Sequence, residues 1–249
     1  MAAGASSGNM LCGNNVDLTL LTRMLDVLKW SDSDSFICVK AISRDMDLAV
    51  KSDKSLRSKY AEHIKSFFCF YYDNQCCLIV NLTKSGLKSS DLERLLAPLI
   101  RESYMYAGIS NPFRDFRLIP QTFKQTDYIL AEIRSDPGKW VNSFNHCVLN
   151  YMINGVRQDL SLNMIVDPDL MDLIEYDKKN NSFLYETIKT YLENERNITK
   201  TAELLSVHRT TVIYRLDRIE KFFKMDLEDI NNRLYLLICF KMLDQAGEP

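Results

Sequence analysis

A stretch near the carboxy terminus, residues 199–224, limits what this chain can fold into more than any other. Its sequence, TKTAELLSVHRTTVIYRLDRIEKFFK, divides into a short apolar segment, a small turn and a longer basic segment. We expect the first segment to be a short helix that buries Ala202, Leu204 and Leu205, with Val207 closing the turn. In the longer segment, apolar residues recur at helical spacings of 4, 3 and 4, at Val212, Leu216, Ile219 and Phe223. The stretch therefore predicts two helices joined by a tight turn.

The opposite face of the second helix is polar and basic. Residues 208–224 contain five Lys/Arg and two Asp/Glu, a local charge of +3 in a chain whose net charge is −2. Guanidinium groups, hydroxyls and the free N–H groups of a helix N-terminus are the groups that bind base edges and phosphates in a DNA major groove. This face therefore predicts a DNA-recognition helix. Its expected contact residues are His208, Arg209, Thr210, Thr211, Tyr214, Arg215, Arg218 and Lys221.

Each of these residue types suggests a role. We expect Arg209 and Arg218 to donate to base edges or phosphates. Thr210 and Thr211 are expected to bond either group, and Tyr214 to contact a phosphate or a thymine methyl group. The same pattern also fits a solvated amphipathic helix whose basic face contacts only water or acidic neighbours. Periodicity and charge do not separate these two interpretations.

The residues around the helix pair also predict helices. Asp167 and Pro168 have the residue types of an N-cap and a first helical position. Ser182 is expected to cap the next helix, after a turn at residues 180–181. The apolar positions expected in the core are Leu170, Met171 and Ile174, then Leu184, Ile188, Tyr191 and Leu192, and in a last helix Leu234, Leu237, Ile238 and Met242. Five short helices around one core predict an all-α helix-turn-helix domain over residues 166–249.

Residues 166–243 resemble the carboxy-terminal helix-turn-helix domain of the PucR-type regulators, a group that includes the sugar-diacid regulators of the CdaR type. The resemblance is carried by the ordered segments VDPDLMDLIEYD, YLEN, TAELLSVHRTTVIYRL and MDLEDINNRLYLLICFKML. It implies a bacterial regulator of transcription that binds double-stranded DNA with sequence specificity and is not an enzyme. It leaves the effector, the operator and the direction of regulation unspecified.

Composition indicates a two-domain cytoplasmic protein. The 249 residues are 46% apolar and 26% charged, so we expect disorder only in a small, polar tail over residues 1–15. No segment has the form of a signal peptide or the roughly 18 apolar residues of a membrane span. Seven cysteines without a C-x-x-C pair indicate a reducing compartment. With only three histidines we expect no metal site and no cofactor, and His208 is expected at the turn or on the DNA backbone.

Residues 16–135 alternate between helix-like and strand-like runs. After a first helix over 16–30, the order is β-α-β-β-α-β-α. The run FICVKAI predicts a strand, and SFFCFYYDNQCCLIVNL predicts a hairpin that turns at residues 73–75, with the adjacent Cys76 and Cys77 facing opposite sides. Helices are expected over 89–105 and from 121 to about 134. This order predicts an α+β domain with helices on an antiparallel sheet.

Through AGISNPFRDFRLIPQTFKQTDYIL, this part resembles the GGDEF-like domain that precedes the helix-turn-helix domain in many PucR-type regulators. GGDEF domains that are cyclases hold Mg²⁺ and GTP with a carboxylate after the first strand and a Gly-Gly-acidic hairpin. Here Lys40 and Ala41 stand where that carboxylate is expected, and the hairpin reads YYDNQCC. A divalent cation then lacks oxygen ligands, and the backbone cannot approach a phosphate closely. We therefore expect a degenerate domain without cyclase activity, in which Asp73 is a turn residue.

Residues 136–165 are expected to connect the two domains through one helix. The apolar residues of that helix are Val141, Phe144, Cys147, Val148, Tyr151 and Met152. They either pack against their own domains or form a dimer seam. A homodimer is expected because one such module covers one half-site, and an operator repeats it roughly 34 Å away.

Two other functions remain open. In one, the chain is a ligand- or nucleotide-sensing module without direct DNA binding, and in the other it is a protein-binding adaptor. A small-molecule effector is compatible with each of them.

Overall fold

The computed structural model describes residues 23, 25–45, 54–72, 74–136 and 138–247. The expected tail over 1–15, most of the expected helix over 16–30, and Asp73 lie outside the described residues. The chain divides between Tyr151 and Met152 into two compact units. Within the described ranges, no helix is long and apolar enough to cross a membrane.

The amino-terminal unit is a five-stranded sheet with helices on both faces. Its strands are β1 (Phe36–Ser43), β2 (Phe67–Tyr72), β3 (Gln75–Asn81), β4 (Met105–Ile109) and β5 (Val141–Ser143). Its helices are α1 (Lys54–His63), α2 (Leu82–Ser85), α3 (Ser89–Glu102), α4 (Ile119–Arg134) and α5 (Phe144–Arg157), the last of which crosses into the second unit. A short 3-10 helix, Phe116–Leu118, precedes α4. The predicted α+β class is confirmed.

Strand β1 lies in the middle of this unit and is buried along nearly its whole length. Ile37 and Val39 join the apolar cluster formed with α1 and α3, whereas Phe36 and Cys38 join the cluster formed with the start of α4. Successive side chains of a strand point to opposite faces of a sheet. A strand that is covered on both faces has no polar side, which explains the continuous apolar run FICV.

The strand order is β2-β3-β1-β4-β5. The first three pairings are antiparallel, but β5 runs parallel to β4, with Ala107 opposite Val141. The expectation of a wholly antiparallel sheet was therefore wrong at this edge. Because β5 has only three residues, it shows no alternating strand pattern in the sequence, and Val141 was therefore predicted to belong to the connector helix. The adjacent Cys76 and Cys77 belong to different apolar clusters, as predicted.

Gly108 allows β4 to lie close against α4. A Cβ atom at this position would stand 2.9 Å from the backbone oxygen of Thr126 and 3.1 Å from the Cβ of Ile129. Because the first of these neighbours is backbone, it cannot move aside without shifting the helix. Only glycine fits this contact between strand and helix.

A buried carboxylate joins the segment before β1 to the end of β3. Asp34 accepts hydrogen bonds from the backbone N–H of Ser31 at 3.0 Å and from the side-chain amide of Asn81 at 2.8 Å. Burial opposes the ionisation of Asp34, but these two hydrogen bonds and the nearby Lys84 bring its pKa below the usual value. Asn81 also accepts from the backbone N–H of Lys84 and so caps α2.

The carboxy-terminal unit is helical, as predicted. After a 3-10 helix (Leu162–Met164) it contains α6 (Pro168–Asn180), α7 (Leu184–Glu193), α8 (Ile198–Leu204), α9 (Arg209–Phe223) and α10 (Ile230–Ala246). One apolar core joins all five helices. Its most buried members are Leu170, Leu173, Leu184, Ile188, Val212, Ile219, Leu236, Cys239, Phe240 and Leu243.

The first helix of this unit begins as the sequence predicts. The Asp167 carboxylate accepts hydrogen bonds from the backbone N–H groups of Asp169 at 2.9 Å and Leu170 at 3.2 Å. Pro168 occupies the first helical position, where a missing N–H costs nothing.

The prediction that Ser182 caps the next helix was wrong. Helix α7 begins at Leu184, and Ser182 does not cap it. Instead, the Asp177 carboxylate accepts the backbone N–H of Tyr185 at 2.7 Å and a hydrogen bond from the Ser182 hydroxyl. An acceptor eight residues earlier in the sequence gives no local signal of this kind.

Two residues expected in the core are exposed. Leu204 is the last residue of α8 and is 58% exposed, because the chain turns away immediately after it. Leu234 is also 58% exposed, since the buried face of α10 follows Leu236, Cys239 and Phe240 instead.

Candidate nucleic-acid interface

Helices α8 and α9 are joined by a tight turn over residues 205–208. The backbone N–H of Val207 donates to the carbonyl of Ala202 at 3.0 Å, and Ser206 adopts the left-handed conformation with φ of 54°. Ala202 is buried, and Val207 packs against the core. The turn fixes the direction in which α9 leaves it.

His208 is the N-cap of α9. Its Nδ1 atom accepts from the backbone N–H of Thr210 at 3.4 Å and lies 2.8 Å from the Thr210 hydroxyl oxygen. The imidazole is exposed beside the first turn of the helix, where the backbone N–H groups give a partial positive charge. His208 therefore lies at the turn, as the sequence predicts.

Helix α9 buries one stripe and exposes the other. Val212, Leu216 and Ile219 are buried, in agreement with the predicted period. Arg209 and Thr210 are exposed, Tyr214 is 60% exposed, and Thr211 is half-buried. Among the described residues, the Arg209 guanidinium has no hydrogen-bond or ion-pair partner, and Arg209 as a whole is exposed, so its N–H donors are unused within the domain.

Arg218 is held by its own domain. Its Nη2 atom donates to the Tyr176 hydroxyl at 2.5 Å, a contact between α9 and α6. Its guanidinium also lies over the rings of Tyr176, Tyr214 and Phe222, at 5.4, 5.9 and 5.6 Å from their centroids. Sequence alone could not distinguish Arg218 from Arg209, because the contact partner Tyr176 is 42 residues away.

Arg215 is held in a similar way on the side of α9 that faces α7. Its Nη1 atom donates to the Thr187 hydroxyl at 3.1 Å, and its guanidinium lies 5.5 Å from the ring centroid of Phe183. Lys221 pairs with Asp217 one turn earlier, at 2.8 Å. The basic residues of α9 thus divide into two groups. Arg209 has an exposed guanidinium without a partner, whereas Arg215, Arg218 and Lys221 have intramolecular partners.

Ile213 is one of the exposed residues of α9 that are absent from the set expected from the sequence. Ile213 is 50% exposed and lies four residues after Arg209, on neighbouring helix surface. Its position about 100° from Val212 on the helical wheel places it outside the buried stripe, and that spacing was the signal available in the sequence.

In the amino-terminal unit, Lys40 is the residue that the resemblance to GGDEF-type domains predicts at the position of a metal-binding carboxylate. Lys40 is buried, and its ammonium lies 2.6 Å from Oδ1 of Asp127 on α4 and 4.7 Å from the ring centroid of Phe123. A buried ammonium repels a divalent cation. Among the residues described, no group of three or more His, Cys, Asp or Glu is placed to hold a metal ion. The described residues around Lys40 therefore provide a paired cation and not a ligand for a metal ion.

The carboxy-terminal unit is a helix-turn-helix domain, formed by α8 and α9 with three supporting helices. Residues 184–242 match the PucR C-terminal helix-turn-helix domain. The chain therefore carries the carboxy-terminal domain of the PucR/CdaR-type regulators, and the resemblance predicted for this part of the sequence is confirmed. The GGDEF-like resemblance of the amino-terminal part stays a prediction.

Three curated relatives support this assignment. The DNA-binding transcriptional activator AdeR of Bacillus subtilis is 30% identical over 73 residues, which cover 29% of this chain and 17% of AdeR. The purine catabolism regulatory protein of the same organism is 37% identical over 73 residues, covering 29% of this chain and 14% of that protein. The carbohydrate diacid regulator of Escherichia coli is 27% identical over 99 residues, which cover 40% of this chain and 25% of that protein. The matched segments thus span a quarter or less of each relative.

Proposed function

We propose that this protein is a bacterial, sequence-specific regulator of transcription that inserts α9 into the major groove of double-stranded DNA. The observation that carries the proposal is the exposed face of α9, where Arg209, Thr210 and Tyr214 face solvent in a PucR-type helix-turn-helix domain. Relatives that share this domain are named as transcriptional activators or regulators.

Arg209 is our assignment for the principal base contact. An unpartnered guanidinium in the first turn of a recognition helix matches the O6 and N7 acceptors of guanine. Thr210 and Thr211 supply hydroxyls for phosphates or base edges, and Tyr214 supplies a hydroxyl for a phosphate. His208 lies beside the helix N-terminus, where a phosphate is favoured.

Arg215, Arg218 and Lys221 are assigned to the phosphate backbone. Each arginine donates one hydrogen bond within the domain and keeps other N–H groups for a phosphate. Their intramolecular partners fix their positions, which suits a contact that sets orientation more than sequence. The local charge of +3 over residues 208–224 then favours DNA despite the net charge of −2.

We also propose that the protein acts as a homodimer. Helix α5 carries a group of exposed apolar side chains that suits a seam between two copies: Val148, Leu149, Tyr151, Met152 and Val156. Phe144 and Cys147 of the same helix are buried, so these two residues pack against their own unit and are not available for a dimer seam. Two copies bring two α9 helices to two half-sites.

We propose that the amino-terminal unit has no cyclase activity, because Lys40, which the sequence predicts at the position of a metal-binding carboxylate, is a buried cation paired with Asp127. A regulatory role that depends on an effector is compatible with this unit. We assign the protein to the cytoplasm, since the proposed function requires access to DNA and the six cysteines described form no disulfide.

The test is selection of genomic fragments by the purified full chain at about 50 mM and 200 mM salt. We expect enrichment of a repeated half-site, with affinity that falls steeply as salt rises. The Arg209→Ala variant should keep weak, salt-sensitive binding and lose the enriched sequence. If the wild-type chain enriches no sequence at either salt concentration, the proposed function is contradicted.

A further inference from the structure

Ile213 is an apolar side chain on the solvated face of α9. It is 50% exposed and is not part of the apolar core described for its unit. Its neighbours along this surface of the helix are Arg209, one turn earlier, and Asp217, one turn later. Isolated exposed apolar residues are common on protein surfaces, so exposure alone assigns no role to Ile213. Its position beside the exposed, unpartnered guanidinium of Arg209 is what suggests a role.

The major groove presents one apolar group for such a side chain. Among the four bases, only thymine carries a methyl group in the groove, at C5. A β-branched side chain in a helix has essentially one χ1 rotamer, so Ile213 loses little conformational entropy when it contacts a methyl group. Tyr214 is less suited to this contact, because the Arg218 guanidinium lies over its ring at 5.9 Å.

We propose that Ile213 reads the 5-methyl group of a thymine in each half-site. This inference rests on the proposed function, in which Arg209 holds a guanine. Four residues of helix advance about 6 Å, and base pairs are spaced at about 3.4 Å, so the thymine lies within about two base pairs of that guanine. Arg209 and Ile213 together then define a short G/T element in the operator.

The experiment replaces single thymines by deoxyuridine in the duplex recovered by selection, which removes only the methyl group. Binding is measured with the full chain as wild type, Ile213→Ala and Ile230→Ala. Ile230 is a matched control, because it is an isoleucine 68% exposed on α10. Loss of one methyl contact should weaken wild-type binding about fourfold at one position near the guanine. Ile213→Ala should bind the two duplexes equally, whereas Ile230→Ala should discriminate like wild type.

Several outcomes would overturn the inference while leaving the proposed function intact. The selected half-site could lack a thymine near the guanine, wild type could bind thymine and deoxyuridine duplexes equally, or Ile213→Ala could keep the discrimination. Ile213→Val gives a second measure, since it removes one methylene and should reduce the discrimination without abolishing it. Absence of any sequence preference in wild type contradicts the proposed function itself, so the two failures are distinguishable.

Discussion

The division of arginines on α9 predicts opposite behaviour for two alanine substitutions. Arg209 has no partner among the described residues, whereas Arg218 donates to Tyr176 and lies over three aromatic rings. Arg209→Ala should therefore damage DNA recognition without affecting the fold. Arg218→Ala should destabilise the contact between α6 and α9 as well as weaken DNA binding.

The magnitudes follow from the contacts. For Arg209→Ala we expect the free energy of unfolding to change by less than about 0.5 kcal/mol, as for other exposed residues. Loss of a bidentate guanine contact costs about 1–3 kcal/mol in each half-site, or about 5- to 150-fold in affinity. For Arg218→Ala, one charged hydrogen bond and the ring contacts together give a destabilisation of about 2 kcal/mol. The ring contacts are partly exposed, so they contribute the smaller share.

Amide hydrogen exchange of the full chain measures the structural part, because it reports local opening of each helix separately. Arg218→Ala should speed the slow exchange of residues 168–180 and 209–223 about 30-fold, the equivalent of about 2 kcal/mol. Arg209→Ala should leave those rates unchanged. Arg209→Lys is the matched control, because it keeps the charge and removes the planar fork. It should retain non-specific binding and lose sequence preference.

Two results would refute this reasoning. If Arg218→Ala left the exchange rates of both helices unchanged, the Tyr176 hydrogen bond and the ring contacts of Arg218 would carry no structural weight. If Arg209→Ala accelerated exchange as much as Arg218→Ala, Arg209 would have an intramolecular role that its solvated position does not indicate.

Three further predictions concern stability. Asp127→Ala should destabilise the amino-terminal unit by about 1–3 kcal/mol, because it leaves the buried Lys40 ammonium without its carboxylate. Lys40→Met should lower the free energy of unfolding by less than Asp127→Ala does. Denaturant unfolding followed by tryptophan fluorescence measures both variants. The lowered pKa of Asp34 contributes stability that is present above its usual pKa and is lost as the pH falls through its folded value. Asp34→Asn should therefore flatten the decline in stability below about pH 4. Asp177→Ala leaves the Tyr185 N–H without its cap and should cost the carboxy-terminal unit about 1 kcal/mol, measured by hydrogen exchange of α7.

The parts of the fold that sequence predicts are those whose signal is local. The buried stripe of α9 and the continuous apolar run of β1 follow directly from side-chain period. Asp167 and Pro168 mark a helix start because capping involves adjacent residues. These features needed no information about distant segments.

The parts that sequence misses depend on distant partners or on short elements. Strand β5 has three residues, and only its parallel partner β4 defines it. Asp177 replaces Ser182 as the cap of α7 through a loop whose geometry the sequence does not reveal. The candidate interface shows the same limit: the sequence identifies the basic residues of α9, but only packing against Tyr176 separates Arg218 from Arg209.

The difference between the unpartnered Arg209 and the held Arg218 bears on how many copies of the protein are needed for sequence-specific DNA binding. If Arg209 provides about 1–3 kcal/mol of discrimination and a methyl contact by Ile213 about 0.8 kcal/mol, one half-site supplies about 2–4 kcal/mol. Specific DNA-binding proteins prefer their sites over non-specific DNA by about 4–10 kcal/mol. One copy of α9 therefore reaches at best the lower limit, whereas two copies supply about 4–8 kcal/mol. The small number of unpartnered side chains on α9 is thus itself an argument for the proposed homodimer, independent of the exposed apolar residues of α5.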